Sequence, residues 1–340
     1  MKINQLILVT GGTGYIGSHA VIHLLNRGYE VLVLDNLSNS KSLVLEKIRM
    51  ITGIEPKFIK GDIRDKKLLS QIFSEYPISG VIHFAGLKAV AEAEKEPLKY
   101  YENNVLGSIN LLEAMSAARI KKIVFSSSAV VYGNTNKIQY KENMPLNPVN
   151  VYGRNKKMVE DLLRDLYRSD NTWSIALLRY FNPIGAHWSG LIGEDPKQIP
   201  NNLLPFIAQV AVEKRKEVLV FGGDYNTPDG TGCRDYVHVD DLARGHILAL
   251  DKIFLNPTLL TLNLGTGKAY SVLEIIAAFE KVSSKKIPYK IVGRRDGDLA
   301  IYYANSSLAE AILGWKPDYD INRMCEDLWR WQSSNPLGFG

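Results

Sequence analysis

The sequence predicts an α/β fold: a parallel sheet wound by helices on both faces, with a smaller α/β region after it. Three observations carry this. Short, continuous apolar runs alternate with amphipathic stretches through the first half. Glycines cluster directly between the first such run and the first helical pattern. Pro and Gly then become frequent between Pro183 and Pro228, and the alternation fades.

The elements follow in order. Leu6–Thr10 reads as a buried strand, and "HAVIHLLNRG" as a helix closed by Gly28. Further strands are expected at Glu30–Asp35, Lys57–Asp62, Gly80–Gly86, Lys121–Ser128 and Trp173–Phe181. A helix is expected to begin near Val151, behind the turn "LNPVN". The expected division is residues 1–182 as one domain and 183–340 as a second, some C-terminal segments packing back onto the first. No internal repeat or low-complexity tract interrupts this plan.

Bulk composition agrees. The chain has 340 residues, 46% apolar and 23% charged, enough for a real core and too balanced for disorder. The net charge of +5 is spread thinly. The basic run "EKRKE" is flanked by acids and reads as a solvated helix face, so no nucleic-acid partner is expected. Cys233 and Cys325 lack CxxC spacing and suggest neither a disulfide framework nor a zinc site. No run approaches the roughly 18 apolar residues of a membrane span, and "QLILVTGG" is too short for a signal peptide. A cytoplasmic protein without a membrane partner is expected. His19 and His23 stand four apart on the first helix without an evident third ligand, so packing is the expected role and no metal is assigned. His83 reads as a strand histidine with its bonds satisfied.

"VTGGTGYIG" places Gly11, Gly14 and Gly17 between strand and helix. Glycines there let backbone approach a pyrophosphate, and the helix N-terminus offers N–H groups and a positive dipole end. This is the fingerprint of a Rossmann-type sheet that binds a dinucleotide. Asp35 ends the second strand and suits the ribose hydroxyls of NAD. It would repel a 2′-phosphate, and "NLSNS" after it supplies no arginine. Asp62, in "KGDIRD", reads either as an adenine contact or as the N-cap of the next helix.

The tripeptide Val-Tyr-Gly occurs twice, at Tyr132 and Tyr152. Only Tyr152 has a lysine, Lys156, one helical turn on; Val159 and Leu163 continue that face. An ammonium near a phenol, together with an oxidised nicotinamide, would draw its pKa from about 10 towards neutrality, where a general base works. By spacing alone, a surface i,i+4 pair remains an equal reading. Ser128 ends "KKIVFSSS", the strand expected beside the cofactor, and is the serine chosen to bridge substrate and tyrosine. Ser126 and Ser127 are read as strand-end and turn hydrogen bonders.

The glycine loop, Asp35, "HFAGLKAV", "NNV", "SSSAVVYG" and Tyr-x-x-x-Lys, in this order, resemble the extended short-chain dehydrogenase/reductase family. "DNLSNS", "SIALLRYFNPIGAH", "DGTGCRDYVHVDDLA" and "RRDGDL" narrow the resemblance to its members that act on UDP-hexoses, over essentially the whole chain. The resemblance implies reversible epimerisation of UDP-glucose and UDP-galactose at C4, through a transient 4-ketose, with tightly bound NAD as hydride carrier. Tyr152 would take the 4-hydroxyl proton, Ser128 would bond the reacting oxygen, and Lys156 would lower the tyrosine pKa and bind the nicotinamide ribose.

The resemblance also implies binding roles. Tyr15 and Ile16 would lie over the pyrophosphate. Asp35, Asn36, Leu37, Ser38, Asn39 and Ser40 would surround the adenosine, with Asp62 and Ile63 at adenine. Phe84, Ala85, Gly86, Leu87 and Lys88 would line the cofactor, Lys88 also reaching the substrate. Asn103 would support the cofactor and Phe181 the nicotinamide end. Asn182, Asn202 and Leu203 would meet the UDP-sugar, and Leu219, Val220 and Phe221 the uracil. Arg234 and Arg295 would clamp the diphosphate. Tyr236 would line this pocket, and Asp298 would take the uridine ribose. Surface salt bridging remains a plausible alternative for Arg294. A bulky Tyr302 would narrow the sugar pocket against N-acetylated hexosamines. A homodimer is implied, with helices near "YYENNVLGSINLLEAMSAA" and "YGRNKKMVEDLLRDLYR" pairing across it.

Val130 stands where many members of the family have threonine, and receives no role. "YKENMPLNPVNVYG" is one residue shorter than in some. Two rivals are weaker. A 4,6-dehydratase needs an acid pair after the serine position, and Ala129, Val130 and Val131 stand there. A non-catalytic NAD-binding regulator would not need both Tyr152 and Lys156.

Overall fold

The computed structural model describes residues 5–135, 137–197, 200, 202–295 and 298–339. Apolar runs bounded by turn residues make its strands. In the first sheet these are β1 (Leu6–Thr10), β2 (Glu30–Asp35), β3 (Lys57–Lys60), β4 (Ile78–His83) and β5 (Lys122–Ser128). After a two-residue β6 (Gln139–Tyr140) come β7 (Ser174–Tyr180), β8 (Asn182–Ile184), β9 (Val218–Phe221) and β10 (Cys233–His238). The remaining strands are β11 (Thr258–Leu264), β12 (Ala269–Ser271), β13 (Tyr289–Val292) and β14 (Ile301–Ala304).

Seven strands form one sheet in the order β11-β7-β5-β4-β1-β2-β3. The ladders from β3 across to β7 are all parallel. The order reverses at β1, which pairs β2 on one side and β4 on the other. That switch point opens a crevice at the carboxyl ends of the strands, where α/β sheets bind ligands. β1 is buried along its whole length, as a strand covered on both faces must be. The strand expected at Gly80–Gly86 instead ends at His83, because the N–H groups of Phe84 and Ala85 both donate to the Thr10 carbonyl and turn the chain.

The described residues fall into two units. One holds those up to Gly133, Glu142–Tyr180 and Ala243–Leu262; the other holds Asn134–Lys141, Phe181–Leu242 and those from Asn263 on. The first packs its helices on the sheet around Leu8, Leu32, Val81, Phe125 and Ile175. Val159 and Leu163 of the Val151–Ser169 helix join that core, so the apolar half of the expected stripe is buried. In the second unit β10 is central, parallel to β8 and β14 and antiparallel to β12. The helices Leu203–Ala211, Val272–Ser283 and Ile321–Ser334 enclose its core. Among the described residues no helix is long and apolar enough to cross a membrane.

Candidate active site

Two positions of the glycine loop admit no side chain. Gly11 has φ +72°, and a Cβ there would lie 2.7 Å from the backbone N of Ala85. A Cβ on Gly17 would sit 2.2 Å from the Gly11 carbonyl oxygen. The helix Tyr15–Arg27 can therefore start hard against β1. Its N-cap, Gly14, offers no capping side chain, and its first turn holds no acid. That end of the helix presents N–H groups and a positive dipole, which suits a phosphate.

The Asp35 carboxylate accepts from the N–H groups of Thr13 (3.1 Å) and Leu37 (2.9 Å) and from Ser40 Oγ (3.3 Å). It thereby ties the glycine loop to "NLSNS". Ser40 also shares a 2.7 Å hydrogen bond with Thr13, while Ser38 and Asn39 are exposed. Asn36 Nδ2 donates to Asp62 at 2.8 Å, so the adenosine-side candidates form one cluster. Asp62 is not the helix cap: Asp65 accepts from the N–H groups of Lys67 and Leu68 instead. Asp62 is gripped by Arg64, whose hydrogen bond pulls the carboxyl down to about 2. Ile63 beside it is buried.

Beyond β4, the loop holding Phe84–Lys88 is fastened at Leu87. The Leu87 N–H donates to Asn104 Oδ1 (2.8 Å), and Asn104 Nδ2 returns a bond to the Leu87 carbonyl (3.0 Å). Asn103 Nδ2 donates to the same Oδ1. Both asparagines lie in a π-helical turn, Tyr101–Leu106, a rare widening that concentrates at functional sites.

Tyr152 and Lys156 lie at the start of the Val151–Ser169 helix. Asn150 caps it, accepting from the Gly153 N–H at 2.8 Å. Gly153 permits close approach, since a Cβ there would meet the Val130 side chain and carbonyl at 3.0 and 3.1 Å. Val130, left without a role from sequence, is thus a packing partner of that helix. Ser128 Oγ caps the short 3-10 turn Ala129–Tyr132 and hydrogen-bonds the Tyr152 hydroxyl. Lys156 Nζ donates to the Ser126 carbonyl at 2.7 Å and lies 4.9 Å from the Phe125 ring centroid and 5.8 Å from that of Tyr152.

Burial decides the electrostatics. It pushes the Tyr152 phenol up to about 12, against a lowering hydrogen bond from Ser128. It pulls the Lys156 ammonium down to about 8, against the nearby Glu160 carboxylate. Among the chain's own groups desolvation therefore dominates at Tyr152, and the phenol stands above its ordinary value. His83 is buried between Thr10 Oγ1 (2.7 Å) and Ser108 Oγ (2.9 Å), and burial, then Lys156, holds it near 3 and neutral.

Beneath Lys156 lies a charge pair. Glu160 Oε1 accepts from Ser127 Oγ (2.6 Å) and Arg179 Nε (2.8 Å), and Oε2 accepts from Arg179 Nη2 (2.6 Å). Arg179 Nη1 donates to the Tyr132 hydroxyl at 3.1 Å. Ser127 and Ser126 thus do more than close a turn: the first binds Glu160, and the second hydrogen-bonds the Tyr180 hydroxyl.

In the second unit, Arg234 Nη1 donates to the carbonyls of Cys233 (2.9 Å) and Leu299 (2.7 Å), and Nη2 pairs with Asp298 at 3.4 Å. Its guanidinium lies 4.8 Å from the Tyr302 ring centroid. Tyr302 stacks on Tyr140 and neighbours Phe181. Arg295 covers Phe221 at 3.9 Å, whereas Arg294 pairs with Asp224 over the Tyr225 ring. Asn182 pairs with Tyr236 across β8 and β10. Asn202 is the N-cap residue of the helix that Leu203 opens. Leu219 is exposed, but Val220 and Tyr236 turn their side chains into the core, so a contact from Val220 would be through its backbone. Among the described residues no group of three or more His, Cys, Asp or Glu could hold a metal.

A model of the NAD dependent epimerase/dehydratase family matches residues 7–265. The chain belongs to that family. Its similarity to family members extends over nearly its whole length. It is 56% identical to UDP-glucose 4-epimerase of Neisseria meningitidis serogroup C, over 98% of both chains. It is 54% identical to UDP-glucose 4-epimerase of Bacillus subtilis (strain 168), again over 98% of each. Among solved structures, UDP-glucose 4-epimerase from Bifidobacterium longum, in complex with NAD+ and UDP, superposes with a TM-score of 0.96 at 50% identity, over 98% of this chain and 100% of that one.

Within this family member, sequence reasoning missed Asn104, Glu160 and Arg179. Each left a trace. Asn104 is the second half of a doublet, Glu160 is an acid adjoining the apolar stripe, and Arg179 interrupts the apolar run "SIALLRYF".

Proposed function

We propose that the chain interconverts UDP-glucose and UDP-galactose by epimerisation at C4, with NAD as its cofactor. One observation carries the reading: Ser128, Tyr152 and Lys156 meet at the carboxyl edge of a sheet whose first turn is a phosphate-ready glycine loop. The three relatives above, epimerases in name, support it.

The residues present fit NAD. The uncapped, acid-free helix start suits the pyrophosphate, and Asp35 suits an unphosphorylated adenosine ribose. Tyr15, Ile16, the residues from Asn36 to Ser40, Asp62, Ile63, the Phe84–Lys88 loop, Asn103 and Phe181 complete the set that would hold it. When bound, NAD supplies the acceptor and returning donor of the C4 hydride.

The chain's own groups manage the proton. Tyr152 accepts it from the 4-hydroxyl, Ser128 orients the same oxygen, and charged Lys156 stabilises the phenolate. Arg234 and Arg295 grip the diphosphate while the sugar stays loosely held, so the sugar can turn over between Tyr152 taking the 4-hydroxyl proton and giving it back. Tyr302, stacked on Tyr140, keeps the sugar pocket narrow and favours plain hexoses over N-acetylated ones. A cytoplasmic homodimer belongs to the same reading, by resemblance; light scattering that finds a monomer at micromolar concentration would count against the dimer.

The test is to give purified protein UDP-galactose without added cofactor. UDP-glucose should form with no net NADH, and NAD should be released on denaturation. Accumulating NADH or a 4-keto-6-deoxy sugar refutes the reading. Fast turnover of UDP-N-acetylglucosamine refutes the specificity.

A further inference from the structure

We infer that Glu160, held by Ser127 and Arg179, is a positioning residue for the reaction proposed above, setting both the placement and the charge of the Tyr152–Lys156 pair. The inference rests on that reading for its kinetic consequences, but its geometry stands by itself.

Tyr152, Lys156 and Glu160 stand at i, i+4 and i+8 on one helix, so they share a face. Ser127 and Arg179 are register partners on the parallel strands β5 and β7. Both reach the Glu160 carboxylate, through three hydrogen bonds of 2.6–2.8 Å. The side chains of Glu160 and Arg179 are 0% and 1% exposed. A planar guanidinium and a hydroxyl from two adjacent strands leave that carboxylate one position, and with it the rotation and height of the helix. Ser127 is bonded directly to Ser128, so the anchor fixes at once the strand end that offers Ser128 and the helix that offers Tyr152. No catalytic side chain is part of the anchor itself.

The same carboxylate acts on Lys156. The groups facing that ammonium are Tyr152 and Glu160 on its own helix, the Ser126 carbonyl and Phe125 ring on β5, and His83 on β4. His83 is neutral, so Glu160 is the negative charge among them. Burial works to discharge Lys156 and Glu160 works to keep it charged. Arg179 and the partly exposed Arg164 (3.5 Å) share the Glu160 charge from the other side. With the carboxylate neutralised, Lys156 loses its proton at lower pH, and the phenolate loses its cation.

The test compares the full-length wild type, as purified, with E160Q, S127A and the double variant E160Q/R179M, which removes both buried charges together. The wild type is first assayed with UDP-galactose; failure to turn over defeats the functional reading alone. In E160Q the alkaline limb of the kcat profile should move down by roughly one pH unit, with KM changed less than about twofold. The double variant should show the same displacement, and serves if E160Q does not fold. S127A should lower kcat by roughly threefold to tenfold with the limb in place, since it loosens the anchor without removing charge. A folded E160Q or double variant with the wild-type limb overturns the inference, as does an S127A with wild-type kcat. Should the wild type be inactive, the apparent pKa of Lys156 is read from pH-dependent amine modification at that residue. It should fall in E160Q, and an unchanged value overturns the inference.

Discussion

Two regions of the molecule begin with the same three residues and end in different chemistry. The Val-Tyr-Gly at Tyr132 closes a 3-10 turn, and its phenol lies against the Arg179 guanidinium, 4.9 Å from the ring centroid and bonded through the hydroxyl. The Val-Tyr-Gly at Tyr152 opens a 19-residue helix, and its phenol meets Ser128 near Lys156. One tyrosine is spent on a buried cation that already has a carboxylate. The other faces a lysine that burial keeps close to discharge. The tripeptide decides neither outcome; the groups delivered by neighbouring strands do.

The comparison breaks most severely at Tyr152. Y152F should retain the fold and bound dinucleotide but lower kcat by roughly 10²–10⁴-fold, the usual worth of a positioned acid–base group. Steady-state kinetics with UDP-galactose checks it, and a loss under tenfold would assign the proton transfer elsewhere. The Tyr132 side breaks through its cation. R179M takes the two guanidinium hydrogen bonds from buried Glu160 and leaves it the partly exposed Arg164 at 3.5 Å, which should cost about 3 kcal/mol of stability by denaturant titration.

A subtler difference lies in pH. The folded protein releases the Lys156 proton near pH 8, whereas an unfolded chain holds it to about 10.5. Between these values the unfolded state binds more protons, so this lysine makes stability rise with pH in that window. At about 1.4 kcal/mol per unit, the rise is about 3 kcal/mol, and K156M should abolish it in urea melts at pH 8 and 10. Smallest is Y132F, which removes one hydrogen bond to Arg179 and should cost about 1 kcal/mol with kcat within about twofold. Equal losses of activity in Y132F and Y152F would erase the distinction between the two sites.

The parallel sheet and its glycine loop were legible because their causes are local. A continuous apolar strand, a glycine that must take positive φ and a cap such as Asn150 each declare themselves within a few residues. The strands at Leu6–Thr10 and Glu30–Asp35 form with the bounds expected of them. Asp62 shows the limit of such reasoning, since two aspartates three apart both suit a helix cap and only geometry chose Asp65. Ser127 and Ser126 show another. Their partners, Glu160 and Tyr180, lie 33 and 54 residues away, beyond any turn-based reading.

What the sequence by itself determined is the chemistry available: a glycine-rich strand-to-helix turn, an acid at the end of the second strand, and a tyrosine with a lysine one helical turn on. Periodicity and glycine sterics act along the chain, so they can be read along it. Only the tertiary structure decided how that chemistry is poised. It brought Arg179 and Ser127 onto Glu160, Asn104 onto Leu87 and the Ser126 carbonyl onto Lys156. It also buried Lys156 and half-buried Tyr152, which moves both titrations against their charged forms. Desolvation depends on everything packed around a group, and no spacing in the sequence encodes it.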